Sequence, residues 1–267
     1  MSNELITCPN CEASFESKFC PDCGQKRIDK HEFAVGHFFG HIVHEFTHLD
    51  SNKIIRTFVD LVIKPGRLTF DYLAGRKGKY INPIRVYLTV SAIYFLFAWG
   101  ALATAGGGSA QDNSSRQFVI EMAKRKNVEP TVLAEKIQDK AGKYAGTFRF
   151  ASVLISGLFL MLLFRSSGRY YVEHLIFSLH FYSFDFLAKT VVALVFLTET
   201  YTGHTTFIVA RVLYYVLAFV YLLFALKLVY GLSNGKTAIR AVAQSAFEFV
   251  LFIVVNALGF VFATFLA

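Results

Sequence analysis

Residues 205–230 read TTFIVARVLYYVLAFVYLLFALKLVY, and Arg211 and Lys227 are the only charged side chains in this run. A helix that crosses the hydrocarbon core of a bilayer needs about 20 mainly apolar residues, so the run is long enough to span a membrane. Similar blocks along the chain give five predicted spans, at about 84–104, 147–164, 172–197, 205–230 and 240–265. Because the second block is short, four spans is the chief alternative.

The composition of the 267-residue chain agrees with this class of protein. It is 54% hydrophobic and 16% aromatic, whereas soluble domains are about 45–50% apolar. The formal net charge of +8 would suit nucleic acid, but no recognition module is visible beyond a small cysteine-rich segment, so nucleic acid is not an expected partner. We predict an all-α polytopic membrane helix bundle, with the lipid bilayer as its first partner.

The only four cysteines lie near the N-terminus, in the pairs Cys8-Pro-Asn-Cys11 and Cys20-Pro-Asp-Cys23. No apolar signal-peptide core is visible in the first 25 residues, so we expect a cytoplasmic N-terminus, where reduced thiols favour metal over disulfides. Two C-x-x-C turns suit one tetrahedral Zn²⁺, and four cysteine ligands leave no open position for catalysis. Residues 1–28 are therefore predicted to form a structural zinc ribbon, with Phe15 and Phe19 covering its small core.

A stripe of histidines follows the ribbon, at His37, His41, His44 and His48. This spacing places all four on one face of a helix, as a second metal or proton site or as a polar face at the membrane surface. The run His44-Glu45-Phe46-Thr47-His48 also matches the H-E-x-x-H motif of metalloproteases. One adjacent glutamate is an easy coincidence within such a stripe, and no G-x-x-H extension follows.

A second helical segment is predicted from Lys53 to Ile63, where Pro65-Gly66 ends it. Basic and aromatic residues then alternate between Arg67 and Pro83, which is typical of the cytoplasmic edge of a membrane span. Residues 31–82 are therefore predicted to be amphipathic and juxtamembrane helices ahead of a transmembrane bundle at 83–267.

The stretch from Cys8 to Pro83 contains a series of residues and motifs in a fixed order. They are the ribbon, His44, His48, Asp50, Thr57, Pro65-Gly66, Tyr72, Gly75-Arg76, Tyr80 and Pro83. This order resembles an uncharacterised family of bacterial multi-pass membrane proteins, common in the Bacteroidetes and neighbouring groups. The run from Tyr171 to Phe181 is also similar to that family's third-span signature. The resemblance implies the architecture of a bacterial inner-membrane protein with a domain of unknown function, and it implies no activity.

Loop charges predict the orientation of the bundle. Lys and Arg residues collect before the first span and in the 2–3 and 4–5 loops, whereas Thr198 to His204 has none. Positive loops stay in the cytoplasm, so we expect the N-terminus inside and, with five spans, the C-terminus outside. Residues 105–146 are then an external loop, with a helical stretch at about 114–141.

Several ionisable residues fall inside the predicted spans: Glu173, His180, Asp185, Lys189 and Glu248. Such residues are costly in lipid and tend to face a bundle interior, so they predict an intramembrane polar cleft. The alternative is local neutralisation, because Asp185 and Lys189 have the spacing of a helical ion pair and Glu173 lies near a span end.

Three functional hypotheses remain open. The chain has no phosphate-binding loop, nucleophile elbow or dinucleotide fingerprint, so we expect a non-enzymatic membrane protein whose ribbon docks a cytoplasmic protein partner or supports assembly, including homo-oligomers. The alternative is a small-solute or ion transporter or channel that uses the cleft residues. The third is a membrane metalloprotease that uses His44, Glu45 and His48.

Overall fold

The computed structural model describes residues 5–24, 51–104, 113–198 and 204–266. Two short strands, β1 (Ile6–Thr7) and β2 (Ser14–Phe15), pair antiparallel with Ile6 opposite Phe15. The helices follow in chain order: α1 (Ser51–Ile63), α2 (Arg67–Leu73), α3 (Pro83–Thr104), α4 (Asn113–Lys126), α5 (Pro130–Leu163), α6 (Tyr171–Leu197), α7 (His204–Tyr230) and α8 (Asn234–Leu266). Single 3-10 turns lie at Lys77–Lys79 and Arg165–Ser167.

Four helical segments of the described chain are long and apolar enough to cross a membrane: Lys77–Phe97, Tyr171–Leu197, Thr205–Tyr230 and Asn234–Leu266. They make the chain a helical membrane protein. The apolar part of α5 is shorter, at Thr147–Leu163, because the first half of this long helix is rich in charged residues. The second predicted span, at 147–164, is therefore the one that falls short of this length, as the sequence indicates.

Helix α6 is the centre of the bundle. It packs against α3, α5 and α7, and it also contacts α1 and α2. Its buried residues run almost without interruption from His174 to Phe186, as expected for a helix that is covered on all sides. The absence of a side chain at Gly157 lets α5 approach α6 closely, because a Cβ at Gly157 would lie 3.2 Å from the Leu175 Cα.

Helices α1 and α2 form a juxtamembrane hairpin that docks onto the bundle. Its turn contains Gly66, whose φ is +76° and whose added Cβ would lie 2.7 Å from the Ala225 Cα on α7. Tyr221 of α7 donates a hydrogen bond to the Leu61 carbonyl at 2.8 Å. Glycine is needed here for two reasons, a left-handed backbone and a close approach to α7.

The predicted helical stretch at 114–141 is in fact two helices. Helix α4 ends at Lys126, Asn127 takes a positive φ of 51°, and Pro130 begins α5. Asparagine tolerates the left-handed conformation and proline favours the first turn of a helix, which explains the break. Val119 and Leu133 then pack the two helices together.

Candidate functional site

A polar cavity of about 370 Å³ lies between α5, α6, α7 and α8. Its polar lining includes Arg149, Tyr182, Asp185, Lys189, Tyr214 and Glu248. Asp185 is 14 residues after Tyr171, the first residue of α6, or about 21 Å along the helix axis. Since a hydrocarbon core is about 30 Å thick, the cavity lies at membrane depth.

Asp185 is fully partnered within the cavity. Its Oδ2 forms an ion pair with Lys189 Nζ, one helical turn away, at 2.5 Å. Its Oδ1 accepts a hydrogen bond from Tyr214 Oη of α7 at 2.5 Å. Each carboxylate oxygen thus already has a donor, and the ion pair predicted from the i, i+4 spacing is present.

Glu248 is the meeting point of three helices. Its Oε1 accepts hydrogen bonds from Ser156 Oγ at 2.6 Å and from Gln244 Nε2 at 2.8 Å. Its Oε2 accepts a hydrogen bond from Tyr182 Oη at 2.6 Å. Three donors satisfy this carboxyl group, as a polar group at membrane depth requires.

Among the charged residues that line the cavity, Arg149 has the most N–H donors without a partner in the cavity. Its Nη1 donates a hydrogen bond to Tyr94 Oη at 2.9 Å, and its guanidinium lies 5.8 and 5.7 Å from the ring centres of Tyr94 and Phe252. No carboxylate pairs with it in the part of the chain that the structure describes. Because a guanidinium has five N–H donors, Arg149 can donate to a bound acceptor.

The rest of the lining is mainly apolar. Phe181, Phe186, Phe249 and Phe252 contribute apolar walls, and the Lys189 ammonium lies 5.8 Å from the ring centre of Tyr214. A largely apolar pocket with a few convergent polar groups is the usual form of a small-ligand site. The cavity can therefore hold an apolar body and hydrogen-bond a polar end.

The structure brings Asp185, Lys189 and Glu248 together and places the other two predicted cleft residues elsewhere. Glu173 lies in the first turn of α6, where its Oε2 accepts from the Tyr170 backbone N–H at 2.9 Å, so it caps the helix. His180 faces the juxtamembrane hairpin, with its Nδ1 2.9 Å from Thr69 Oγ1. Glu173 and His180 are seven residues apart and share one face of α6. They nevertheless lie in different environments, because different segments pack against α6 at these two positions.

Three contributors to the cavity did not appear among the predicted site residues: Arg149, Tyr182 and Tyr214. The sequence could have indicated Arg149, because it is a lone cation near the start of the predicted span at 147–164. It does not distinguish the two tyrosines, because the chain has 13 Tyr and belts at the membrane interface are the usual reason for their abundance.

The four cysteines form a second candidate site. All four Sγ atoms lie within 4.8 Å of one another, with 3.6 Å between Cys8 and Cys23 and 3.5 Å between Cys11 and Cys20. Tetrahedral zinc with Zn–S bonds of about 2.3 Å requires separations of about 3.8 Å. The thiols are free rather than joined as disulfides, and their arrangement is that of a metal site.

The backbone around the cysteines explains this arrangement. Glu12 and Gly24 each follow the second cysteine of a pair, and they take positive φ values of 66° and 69°. The β1–β2 hairpin holds the first pair, and Phe15 is buried beside Cys8 and Cys20. Phe19, by contrast, is 52% exposed, so only Phe15 covers the core as predicted.

The histidine stripe at His37, His41, His44 and His48, and with it the H-E-x-x-H motif, lies outside the described residues.

A third polar cluster joins the juxtamembrane hairpin to the start of α3. Tyr80 Oη lies 2.9 Å from Asp60 Oδ2 and 2.9 Å from Asp71 Oδ2. Lys64 pairs with Asp60 at 2.7 Å, and Arg67 pairs with Asp71 at 3.1 Å. These bonds connect both helices of the hairpin to one tyrosine, so the cluster is a structural brace.

Together, the bundle and its polar cavity define a helical membrane protein, and the four-cysteine cluster near the N-terminus has an arrangement consistent with a metal site. A family model described as "Protein of unknown function (DUF3667)" matches residues 51–95, which include the juxtamembrane hairpin and most of α3. The chain is thus similar to an uncharacterised domain of unknown function. No curated protein and no solved structure matches the chain.

Proposed function

We propose that this protein is a non-enzymatic integral membrane protein that binds a small organic anion in the polar cavity and moves it across the bilayer. The observation that carries the proposal is Arg149, which lines the cavity and, among the described residues, has one hydrogen bond, to Tyr94. Transport through a polar cleft, one of the hypotheses from the sequence, is the function that this geometry supports best.

The choice of an anion follows from the balance of donors and acceptors. Asp185 and Glu248 accept two and three hydrogen bonds or ion pairs from neighbouring side chains. Arg149 and Lys189 have N–H groups left over, since an ammonium has three donors and only one is used on Asp185. A ligand with an acceptor end and an apolar body therefore complements the cavity.

Uptake of benzenesulfonate into proteoliposomes tests this function, because the probe is a permanent anion with an aromatic body. We expect uptake by the unmodified protein, and a loss of about ten-fold or more in Arg149→Gln, since a hydrogen bond to a charged group contributes roughly 1.5–3 kcal/mol. Arg211→Gln is the matched control, because Arg211 is on α7 outside the cavity lining. Equal uptake by both variants would contradict the proposal.

We also propose that the four cysteines hold one structural Zn²⁺ and that this head docks a cytoplasmic protein partner. The donor set supports zinc, because four thiolates at these separations suit a closed tetrahedral site. A module this small depends on its metal for folding. Its role is then to present a folded surface, with no open coordination position for catalysis.

Metal analysis of the purified full chain tests the zinc proposal. We expect one zinc per chain, lost in Cys20→Ser, together with loss of any co-purifying cytoplasmic partner. A second metal that disappears in His44→Ala would instead favour the histidine stripe as a metal site, which is the condition for the metalloprotease hypothesis.

We propose a bacterial inner-membrane location with the N-terminus in the cytoplasm. Arg169 lies 5.1 Å from the ring centre of Tyr230, and Arg240 lies 4.6 Å from that of Phe164. The α5–α6 and α7–α8 turns and their cations are thus neighbours at one end of the bundle. Positive charge collected at one end supports a cytoplasmic orientation of that end.

A further inference from the structure

A second, larger opening runs along the outside of the bundle, between the juxtamembrane hairpin and α7. This groove has a volume of about 830 Å³. Its walls are mainly apolar, and they include Val62, Ile63, Leu217, Val220, Phe224 and Leu228. An apolar groove of this size on a membrane-spanning helix is a place for a hydrocarbon chain.

The length of the groove matches one leaflet of a bilayer. Leu217 precedes Lys227 by ten residues on α7, which is about 15 Å along the helix axis. A leaflet contributes half of a hydrocarbon core of about 30 Å. The groove therefore extends from the end of α7 toward the middle of the membrane, as an acyl chain does.

Three cations line the surface end of the groove: Lys64, Arg67 and Lys227. Lys64 and Arg67 already pair with Asp60 and Asp71, but their side chains remain 59% and 46% exposed and retain free N–H groups. Lys227 is in the last turn of α7 and forms no ion pair in the described part of the chain. This end of the groove is therefore positive and rich in donors.

The hairpin fixes these cations beside the apolar wall. Gly66 brings the α1–α2 turn into contact with the Ala225 backbone, two residues before Lys227. Tyr221 bonds to the Leu61 carbonyl at the same contact. The positive end is thus a built feature of two packed elements, not a set of independent surface side chains.

We propose that this groove binds one anionic phospholipid. An acyl chain lies along α7 between Leu217 and Leu228, and the phosphate accepts hydrogen bonds from Lys227, Arg67 and Lys64. Basic pockets beside spans select acidic headgroups because each cation lowers the free energy of the bound phosphate. The site is independent of the polar cavity and of any solute that the cavity binds.

Lipid titration of the purified full chain in dodecyl maltoside tests the headgroup contacts. We expect dioleoylphosphatidylglycerol to raise the thermal unfolding midpoint at lower concentration than dioleoylphosphatidylcholine. Lys227→Gln should raise the half-maximal concentration of phosphatidylglycerol about five-fold, and Arg67→Gln with Lys227→Gln should raise it further. Lys236→Gln is the matched control, because Lys236 is an exposed cation in the first turn of α8 outside the groove.

A second pair of variants tests the acyl contact without changing any charge. Val220→Trp fills the groove and should weaken phosphatidylglycerol binding, whereas Val216→Trp, on the same helix outside the lining, should not. Equal stabilisation by phosphatidylcholine and phosphatidylglycerol would overturn the proposal. So would an equal loss in Lys236→Gln, equal binding by Val220→Trp and the unmodified protein, or equal stabilisation by inorganic phosphate, which would indicate a free-anion site.

Discussion

Glu12 is an exposed residue in a backbone conformation that suits glycine. Its φ of 66° matches the 69° of Gly24 at the equivalent place in the other cysteine pair, and a left-handed conformation costs an L-residue roughly 1–2 kcal/mol. Glu12→Gly should therefore stabilise the proposed zinc site by about 0.5–1 kcal/mol, after the entropy cost of glycine. Slower zinc loss to a chelator would show this, with Gly24→Ala losing zinc faster as the control. Faster loss from Glu12→Gly would contradict the expectation.

Asp60 makes the stability of the juxtamembrane hairpin depend on pH. Burial opposes its ionisation, but hydrogen bonds from Lys64 and Tyr80 and the charges of Lys64 and Arg56 outweigh burial and lower the pKa of Asp60 below its usual range. A lowered folded-state pKa gives stability that is present above the unfolded pKa of about 3.9 and is lost as the pH falls through the folded value.

Asp60→Asn should therefore lower the thermal unfolding midpoint at pH 7, and the difference from the unmodified protein should shrink below about pH 4. Unfolding scans in detergent between pH 3 and pH 8 measure this. A difference that stays constant, or that grows toward acid, would show that Asp60 acts without its charge.

At the scale of single residues, a site can be predicted from the sequence when its residues lie close together along the chain. Cys8, Cys11, Cys20 and Cys23 come together because each pair is held by one tight turn, which the spacing predicts. Arg149 and its hydroxyl partner Tyr94 are 55 residues apart. Their contact depends on the packing of α3 and α5 against α6, which no sequence spacing encodes.

At the scale of elements, the hairpin turn is the most sensitive contact. Gly66→Ala combines a strained φ with a clash against the Ala225 backbone, so it should destabilise the protein by about 3 kcal/mol. Gly231→Ala is the matched control, because Gly231 has a φ of +62° with open space around it and should cost about 1–2 kcal/mol. Reversible denaturation in mixed detergent measures both, and equal losses would show that the hairpin is not pressed against α7.

Helix positions were largely predictable because long apolar runs in lipid must form helices. The end of α1 at Ile63 follows from Pro65-Gly66. The break between α4 and α5 was missed, although Asn127 and Pro130 together signal a turn. The charged start of α5 and its apolar end belong to one continuous helix. A prediction of spans from hydropathy finds only the apolar part, so it does not show that the helix is continuous.

At the scale of the whole molecule, α6 connects the juxtamembrane hairpin with α3, α5 and α7. Its first turn is capped by Glu173, its middle faces the hairpin through His180, and its second half supplies Asp185 and Lys189 to the cavity. The sequence predicted one cleft for these four residues and Glu248, because ionisable residues within spans tend to face the interior of a bundle. The structure keeps Asp185, Lys189 and Glu248 together and places Glu173 and His180 elsewhere, because different helices cover α6 at each level.

Equilibrium binding of benzenesulfonate to the purified full chain tests the central claim most directly, with the neutral isostere benzenesulfonamide as the ligand control. We expect saturable binding of the anion and little binding of the amide. We also expect at least ten-fold weaker anion affinity in Arg149→Gln and unchanged affinity in Arg211→Gln. Equal affinity for the anion and its neutral isostere, or undiminished anion binding by Arg149→Gln, would contradict the claim that this cavity recognises an anion through Arg149.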